Sequence, residues 1–134
     1  MPMILIVEDE EQVRQLYAKF LEKKGYKIET AENGQKALDF LSDNRPDLIL
    51  LDLNMPEING KDFIKIIKAD DKLKKIPVFI ITGIDNAKEI GDSISLGAFG
   101  YIYKSNTLAE VLNNIQIVLG SLIATPESNS PRYG

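Results

Sequence analysis

The sequence predicts an α/β protein in which five parallel strands alternate with five helices, and three observations support this. Short apolar runs such as Met3 to Val7 and Leu48 to Leu51 recur along the chain. The segments after these runs repeat apolar residues every three or four positions, as amphipathic helices do. The length of 134 residues, 44% of them hydrophobic and 27% charged, suits one globular domain. Strands that alternate with helices are typical of a parallel sheet covered by helices.

The first two strand-helix units are expected before Pro46. Strand one is expected at about residues 3–7, and Gly25 stands where a helix can end in the left-handed conformation. Strand two is expected at about residues 26–30, and Asn33 can cap the second helix, which has to end before the proline. The apolar residues at helical spacing in the first helix are Val13, Leu16, Tyr17, Phe20 and Leu21.

Three further units complete the predicted architecture. The expected strands are about 47–52, 78–82 and 99–103, and the helices begin near Gly60, near residue 86 and after Thr107. Helix three is expected to bury Phe63, Ile66 and Ile67, which have helical spacing. Helix five opens with Thr107 and Glu110 at the spacing of a capping box, in which each side chain bonds the backbone N–H of the other residue.

The apolar pattern of the strands also predicts their order in the sheet. Strands one, three and four are continuous apolar runs, as in strands covered on both faces, whereas strands two and five are mixed, as edge strands can be. The doubly wound order 2-1-3-4-5 of flavodoxin-like folds fits this pattern. Residues 1–123 are expected to form this domain, and the polar residues 124–134, with two prolines, a disordered tail or a truncated linker.

The composition argues against several classes of function. The chain has no cysteine and no histidine, which excludes disulfides, thiol catalysis and a histidine general base. Its net charge of −4 is opposite in sign to that of a nucleic-acid-binding domain. The N-terminus lacks a signal-type segment, and no apolar run approaches the roughly 18 residues of a membrane span. A cytoplasmic protein without membrane or direct nucleic-acid contact is therefore expected.

Acidic residues stand at the ends of two predicted central strands. Glu8 and Asp9 follow strand one, and Asp52 ends strand three. Neighbouring strands are about 4.8 Å apart, so Asp9 and Asp52 can share one ligand at the carboxyl edge of the sheet. Two negative charges about 4 Å apart repel each other by about 4 kcal/mol at an effective dielectric near 20, which favours a divalent cation between them. Ligation by oxygen alone suits Mg²⁺.

Two further side chains are expected at the same edge of the sheet. Thr82 ends strand four, beside Asp52, so that its hydroxyl can meet an oxygen placed on that carboxylate. Lys104 ends strand five, two strands from Asp52 at about 10 Å by the same spacing, most of which a lysine side chain can span. Four strand ends therefore bring carboxylates, a hydroxyl and an ammonium group around one point.

This constellation resembles the receiver domain of two-component response regulators over about residues 3–122. The matching motifs are Ile4-Leu5-Ile6-Val7-Glu8-Asp9, Asp52-Leu53-Asn54-Met55-Pro56 with Asn59-Gly60, Thr82-Gly83, and Gly100-Tyr101-Ile102-Tyr103-Lys104. The resemblance implies that Asp52 accepts a phosphoryl group in a phosphorelay. It also implies that Mg²⁺ is held by Asp9, Asp52 and the backbone carbonyl of Asn54, with Glu8 acting through water, and that Lys104 stabilises the transferred group.

The resemblance further implies partners and a switch. The phosphoryl donor would be a sensor histidine kinase, a histidine phosphotransfer protein or a small donor such as acetyl phosphate. Thr82 and Tyr101 would be the switch residues, and the face formed by helix four, strand five and helix five would signal to a downstream protein target. Catalysis would be limited to the protein's own phosphotransfer and autodephosphorylation, without conventional turnover.

Two residues depart from the pattern of the family. Ser105 follows Lys104 where the family usually has a proline after a cis bond, and a cis bond before serine would cost about 3–4 kcal/mol. Ile84 stands two residues after Thr82, at a position that tunes autodephosphorylation in the family. An apolar side chain there should not help to orient an attacking water, so the phosphoryl lifetime is expected to be longer than with an acidic residue at this position.

Simpler explanations exist for these residues taken singly. Asp9 could be a helix N-cap, Thr82 a β-branched strand residue, Tyr101 an edge-strand aromatic residue, and Lys104 a surface lysine. Together these explanations require several coincidences at one edge of the sheet, so a shared site is favoured.

Three other functions are alternatives to a phosphorylated receiver. A phosphatase of the haloacid-dehalogenase type also uses a strand-end aspartate, but it would have a second aspartate where Asn54 stands. A flavin carrier shares the predicted topology, but the acidic run Glu8 to Glu11 would repel its phosphate. The main alternative is a receiver-like protein-interaction module that is never phosphorylated, because Ser105 departs from the family pattern.

Overall fold

The computed structural model describes residues 1–55, 57–83 and 87–123, the side chains of residues 121–123 excepted. Strands and helices alternate along the chain as predicted. Their bounds are β1 Met3–Val7, α1 Glu11–Lys23, β2 Lys27–Ala31, α2 Gly34–Leu41, β3 Leu48–Asp52, α3 Gly60–Ala69, β4 Val78–Thr82, α4 Ala87–Ser95, β5 Gly100–Tyr103 and α5 Leu108–Ile123. The predicted tail, residues 124–134, lies outside the described residues.

The five strands form one parallel sheet in the order β2-β1-β3-β4-β5, which confirms the predicted order. The register pairs Val7 with Leu51 and Asp52 with Ile81. The residues that follow β1 and the last residues of β3 and β4 therefore lie at one edge of the sheet, where parallel α/β sheets bind ligands.

Helices cover both faces of the sheet. Alternate residues of a strand point to opposite faces, so each central strand contributes to two cores. One core lies under α2, α3 and α4, and the other lies under α1 and α5. β1, β3 and β4 supply residues to both cores, and β3 and β4 are buried along their whole length. The continuous apolar runs in the sequence are thus strands enclosed on both sides.

The prediction that Ile66 is buried is wrong. α3 buries Phe63, Ile64 and Ile67, whereas Ile66 is 42% exposed. Each residue turns a helix by about 100°, so Ile66 lies roughly 100° from the centre of the stripe formed by the three buried residues. Leu16 in α1 is exposed at 53% for the same reason. Helical spacing alone does not show which edge of a broad apolar stripe faces solvent.

The predicted helix ends are confirmed. Asn33 caps α2 by accepting a hydrogen bond from the Lys36 N–H at 2.8 Å. Thr107 and Glu110 form the capping box of α5, with bonds of 2.9 and 3.2 Å between each backbone N–H and the side chain of the other residue. Gly25, just beyond α1, has a φ of 99°, which glycine adopts without strain.

None of the helices in the described part of the chain is long and apolar enough to span a bilayer.

Candidate functional site

Three carboxylates meet where β1 and β3 end. One carboxylate oxygen each from Glu8, Asp9 and Asp52 lies within 4.8 Å of the other two. The Glu8 N–H donates to the Ala31 carbonyl at 3.1 Å, which extends the β1–β2 ladder to the start of the site. The structure thus brings Asp9 and Asp52 close enough to contact a common ion, as the strand order predicted.

The three acids differ in burial. Glu8 is 2% exposed and Asp52 is 3% exposed, whereas Asp9 is exposed. Burial, with a further contribution from the charge of Asp52, raises the pKa of Glu8 to about 7. Burial also raises the pKa of Asp52, although the charge of Lys104 opposes this shift. Carboxyl groups in this environment hold a proton at a pH where isolated ones have lost it. A bound cation would favour their charged, deprotonated form.

Lys104 reaches the acids from the end of β5. Its Nζ lies 3.1 Å from Glu8 Oε1, 3.5 Å from Asp52 Oδ2 and 3.7 Å from Glu10 Oε1. Burial alone would lower the pKa of Lys104, but the charges of Asp52 and Glu8 raise it above its ordinary value. The described residues contain no cis peptide bond, so the bond to Ser105 is trans, and Lys104 still contacts both buried carboxylates.

The two predicted switch residues lie in different surroundings. Thr82 is fully buried at the end of β4, next to β3, and its carbonyl accepts the Lys104 N–H at 2.8 Å. Tyr101 is 47% exposed on β5, where its ring packs edge-on against Tyr103 with 5.5 Å between the centroids. Tyr101 therefore points outward in this structure. Ile84 lies outside the described residues.

The loop after β3 contributes backbone groups. The Asn54 N–H donates to Asp52 Oδ1 at 3.1 Å, a contact that sequence reasoning did not predict. Gly60 packs against this loop so closely that a Cβ atom would lie 2.7 Å from the Leu53 Cα. The glycine at this position, where α3 begins, therefore also allows the helix start to pack closely against the backbone of the loop. The motif Asn59-Gly60 was the only sequence signal for this contact.

Two residues near the acids were not singled out from the sequence. Glu10 lies within ion-pair distance of Lys104. Arg14 Nη1 donates to the carbonyl of Glu8 at 2.8 Å and lies 3.4 Å from the carbonyl of Asp9. These contacts depend on how the β1–α1 loop folds, and no role in the site was predicted from the sequence for either residue.

The carboxylates are closed off from beneath. A cavity of only about 10 Å³ lies under them, lined by Glu8, Asp52, Tyr17 and apolar core residues. A larger depression of about 800 Å³ lies where β3 and β4 begin, at the opposite edge of the sheet, and includes Arg45 and Leu119. A ligand therefore approaches the carboxylates from the outer edge of the sheet, and the larger depression is separate from the site.

The chain belongs to the response regulator receiver domain family, whose sequence profile matches residues 4–116. Among curated relatives, it is 34% identical to the polar-differentiation response regulator DivK of Brucella anthropi over 117 residues, or 87% of this chain and 95% of that protein. It is 32% identical over 120 residues to the chemotaxis protein CheY1 of Helicobacter pylori, which covers 88% of this chain and 97% of that protein.

The chain spans only part of some relatives. It is 33% identical over 118 residues to the response regulator MprA of a Mycobacterium species. This match covers 87% of this chain but 50% of that protein.

Solved structures show the same fold. The signal receiver domain of a histidine kinase from Syntrophus aciditrophicus aligns with a TM-score of 0.85 and 32% identity, covering 93% of this chain and 95% of that one. The chemotaxis protein CheY4 of Vibrio cholerae aligns with a TM-score of 0.83 and 30% identity, over 88% and 98% of the two chains. The predicted resemblance and fold are therefore confirmed.

The donor set of the site fits Mg²⁺. Receiver domains generally bind this ion, and the cluster here offers carboxylate oxygens, the hard ligands that Mg²⁺ prefers. Two of the carboxylates are buried, and Lys104 is the cation that contacts both of them among the described residues. In such a buried cluster, negative charge exceeds positive charge, and a divalent cation would balance this excess.

Proposed function

We propose that this protein is a response-regulator receiver that accepts a phosphoryl group on Asp52 in a Mg²⁺-dependent reaction. The position of Asp52 carries the proposal: its carboxylate is buried at the end of β3, beside two further carboxylates and 3.5 Å from the Lys104 ammonium group. A buried carboxylate that has several charged neighbours and lies at the ligand-binding edge of a sheet is a candidate catalytic residue.

Different residues of the site would bind the metal ion and the phosphoryl group. Asp9, Asp52 and the backbone carbonyl of Asn54 would hold Mg²⁺, with Glu8 acting through water. When bound, the ion would neutralise the negative charge of the phosphoryl oxygens. A carboxylate oxygen of Asp52 attacks phosphorus while the bond to the donor's histidine nitrogen, or to the acetate oxygen of acetyl phosphate, breaks. Lys104 pairs with a phosphoryl oxygen, since positioning and charge stabilisation supply most of the catalysis in phosphoryl transfer.

The phosphoryl group would then change the surface of the protein. It adds up to about two negative charges and three strong acceptor oxygens. The Thr82 hydroxyl would turn to one of these oxygens, and Tyr101, exposed in this structure, would turn inward into the space released. The face formed by α4, β5 and α5 would thereby change for a downstream protein target. A sensor histidine kinase or a histidine phosphotransfer protein in the cytoplasm would be the donor.

Intact-mass spectrometry after treatment with acetyl phosphate tests this proposal. With Mg²⁺, the wild type should gain the mass of one phosphoryl group, and with EDTA it should gain none. Asp52→Asn should gain none in either buffer. Asp71→Asn is the matched control, because the Asp71 side chain is 94% exposed on a distant loop, and it should behave as wild type.

Two results would contradict the proposal. Equal modification of Asp52→Asn would place the phosphoryl group elsewhere. A wild type that is modified neither by acetyl phosphate nor by a panel of purified phosphorylated histidine phosphotransfer proteins would favour the interaction module that is never phosphorylated. Ser105 is the residue that favours this second function, although Lys104 contacts both buried carboxylates despite the trans bond.

A further inference from the structure

The loop between β1 and α1 carries two of the three carboxylates but lacks the side-chain cap that usually fixes such a loop. α1 begins at Glu11, and Glu10 at the N-cap position makes no side-chain hydrogen bond to the helix. The Asp9 side chain, which could have been the cap, accepts no hydrogen bond from the first turn of α1 within the described residues. The Glu10 N–H donates to Glu8 Oε2 at 3.2 Å, but this bond lies within the loop and does not tie the loop to α1.

Arg14 supplies contacts that hold this loop. Its guanidinium Nη1 donates to the Glu8 carbonyl at 2.8 Å and lies 3.4 Å from the Asp9 carbonyl, while its backbone N–H donates to the Glu10 carbonyl at 2.9 Å. From the other side, the Glu8 N–H is bonded to the Ala31 carbonyl of β2. The backbone of Glu8 is thus held between the sheet and the first helix.

The Asp9 carboxylate depends on this backbone for its position. Among the contacts found within the described residues, no hydrogen bond or ion pair restrains that side chain, and it is exposed. Its distance from Asp52 is therefore set by the loop backbone, which Arg14 holds through two carbonyl groups, beside the Glu8–Glu10 hydrogen bond and the Lys104–Glu10 ion pair.

We propose that Arg14 is a positioning residue for the metal site, which fixes the loop so that Asp9 meets Asp52 at a common ion. This inference rests on the proposed Mg²⁺ site. Charge and positioning predict opposite effects of removing the guanidinium. Loss of a positive charge near the acids would by itself tighten Mg²⁺ binding, whereas loss of the hydrogen bonds would loosen the loop and weaken it.

Titration calorimetry of Mg²⁺ into the full chain tests the proposal. Arg14→Met should raise the Mg²⁺ Kd by at least about tenfold, as loss of a group that orients metal ligands generally does. Arg14→Lys keeps the charge but not the planar fork of donors, so its Kd should lie between those of wild type and Arg14→Met.

Arg45→Met is the matched control. Arg45 makes the same kind of bond, from its guanidinium to the carbonyls of Leu41 and Asn44 at the end of α2, at the opposite edge of the sheet. Its loss should lower stability, measured by urea unfolding, and leave the Mg²⁺ Kd within about twofold of wild type.

A kinetic measurement separates positioning from catalysis. With acetyl phosphate as donor, Arg14→Met should need more Mg²⁺ to reach half-maximal phosphorylation, and its rate at saturating Mg²⁺ should return to that of wild type. An unchanged or lower Kd in both Arg14 variants would overturn the inference while leaving the proposed function intact. A wild type that does not bind Mg²⁺ would overturn both.

Discussion

Raising the pH in the presence of EDTA should destabilise the metal-free protein, because Glu8 is buried beside Asp52. Glu8 is 2% exposed, and burial, followed by the charge of Asp52, raises its pKa from an ordinary 4.5 to about 7. The folded state therefore binds this proton more tightly than the unfolded state does. The resulting stability is fully present below about pH 4.5 and is lost as the pH rises through about 7.

The size of the effect follows from the two pKa values of Glu8. They differ by about 2.5 pH units, from 4.5 to about 7. Each unit corresponds to about 1.4 kcal/mol, so the free energy of unfolding should fall by up to about 3 kcal/mol over this range. The loss is shared with Asp52, whose pKa is also raised by burial, because neighbouring carboxyl groups titrate together.

Urea unfolding followed by circular dichroism, in a series of buffers from about pH 5 to about pH 8, measures this loss. Glu8→Gln removes the titrating group, so its stability should vary much less with pH. Glu22→Gln, a change at an exposed glutamate of α1, should keep the wild-type slope. Added Mg²⁺ should restore stability mainly at the higher pH. Equal slopes for wild type and Glu8→Gln would refute the reasoning.

Three further changes test other parts of the site. Gly60→Ala should destabilise the protein by about 1–3 kcal/mol in urea unfolding, because a Cβ would lie 2.7 Å from loop backbone. Gly120→Ala, whose Cβ would meet no atom of the described residues within 4 Å, should not destabilise it, and equal losses would contradict the close approach at Gly60. Lys104→Met should slow phosphorylation by acetyl phosphate at least about tenfold, since it removes the ammonium group 3.5 Å from Asp52. A wild-type rate would exclude a role of Lys104 in stabilising the transferred group. Ile84→Glu should shorten the phosphoryl lifetime measured by intact mass, and an unchanged decay would refute the role given to Ile84.

The order of the strands and the position of the acids could be predicted because they depend on short-range patterns. Strands enclosed on both faces have to be apolar throughout, so β1, β3 and β4 were recognisable as central. Once the order was known, Asp9, Asp52 and Lys104 had to meet at the carboxyl edge of the sheet.

Other features depend on tertiary contacts that leave no local pattern. The exposure of Ile66 depends on which edge of α3 meets the sheet. The bonds from Arg14 to the loop depend on how α1 enters the fold, and the close approach at Gly60 depends on the path of the β3–α3 loop. The outward position of Tyr101 is one of several rotamers that its backbone allows, so sequence alone could not select it.

Mapping the modified residue is the most direct test of the account. Borohydride reduction of freshly phosphorylated protein converts an aspartyl phosphate to homoserine, which peptide sequencing by mass spectrometry can locate. Homoserine should appear at position 52 after treatment with acetyl phosphate and Mg²⁺, and it should be absent after treatment with EDTA. Homoserine at another aspartate, or a phosphoryl group that resists borohydride on a hydroxyl side chain, would contradict it.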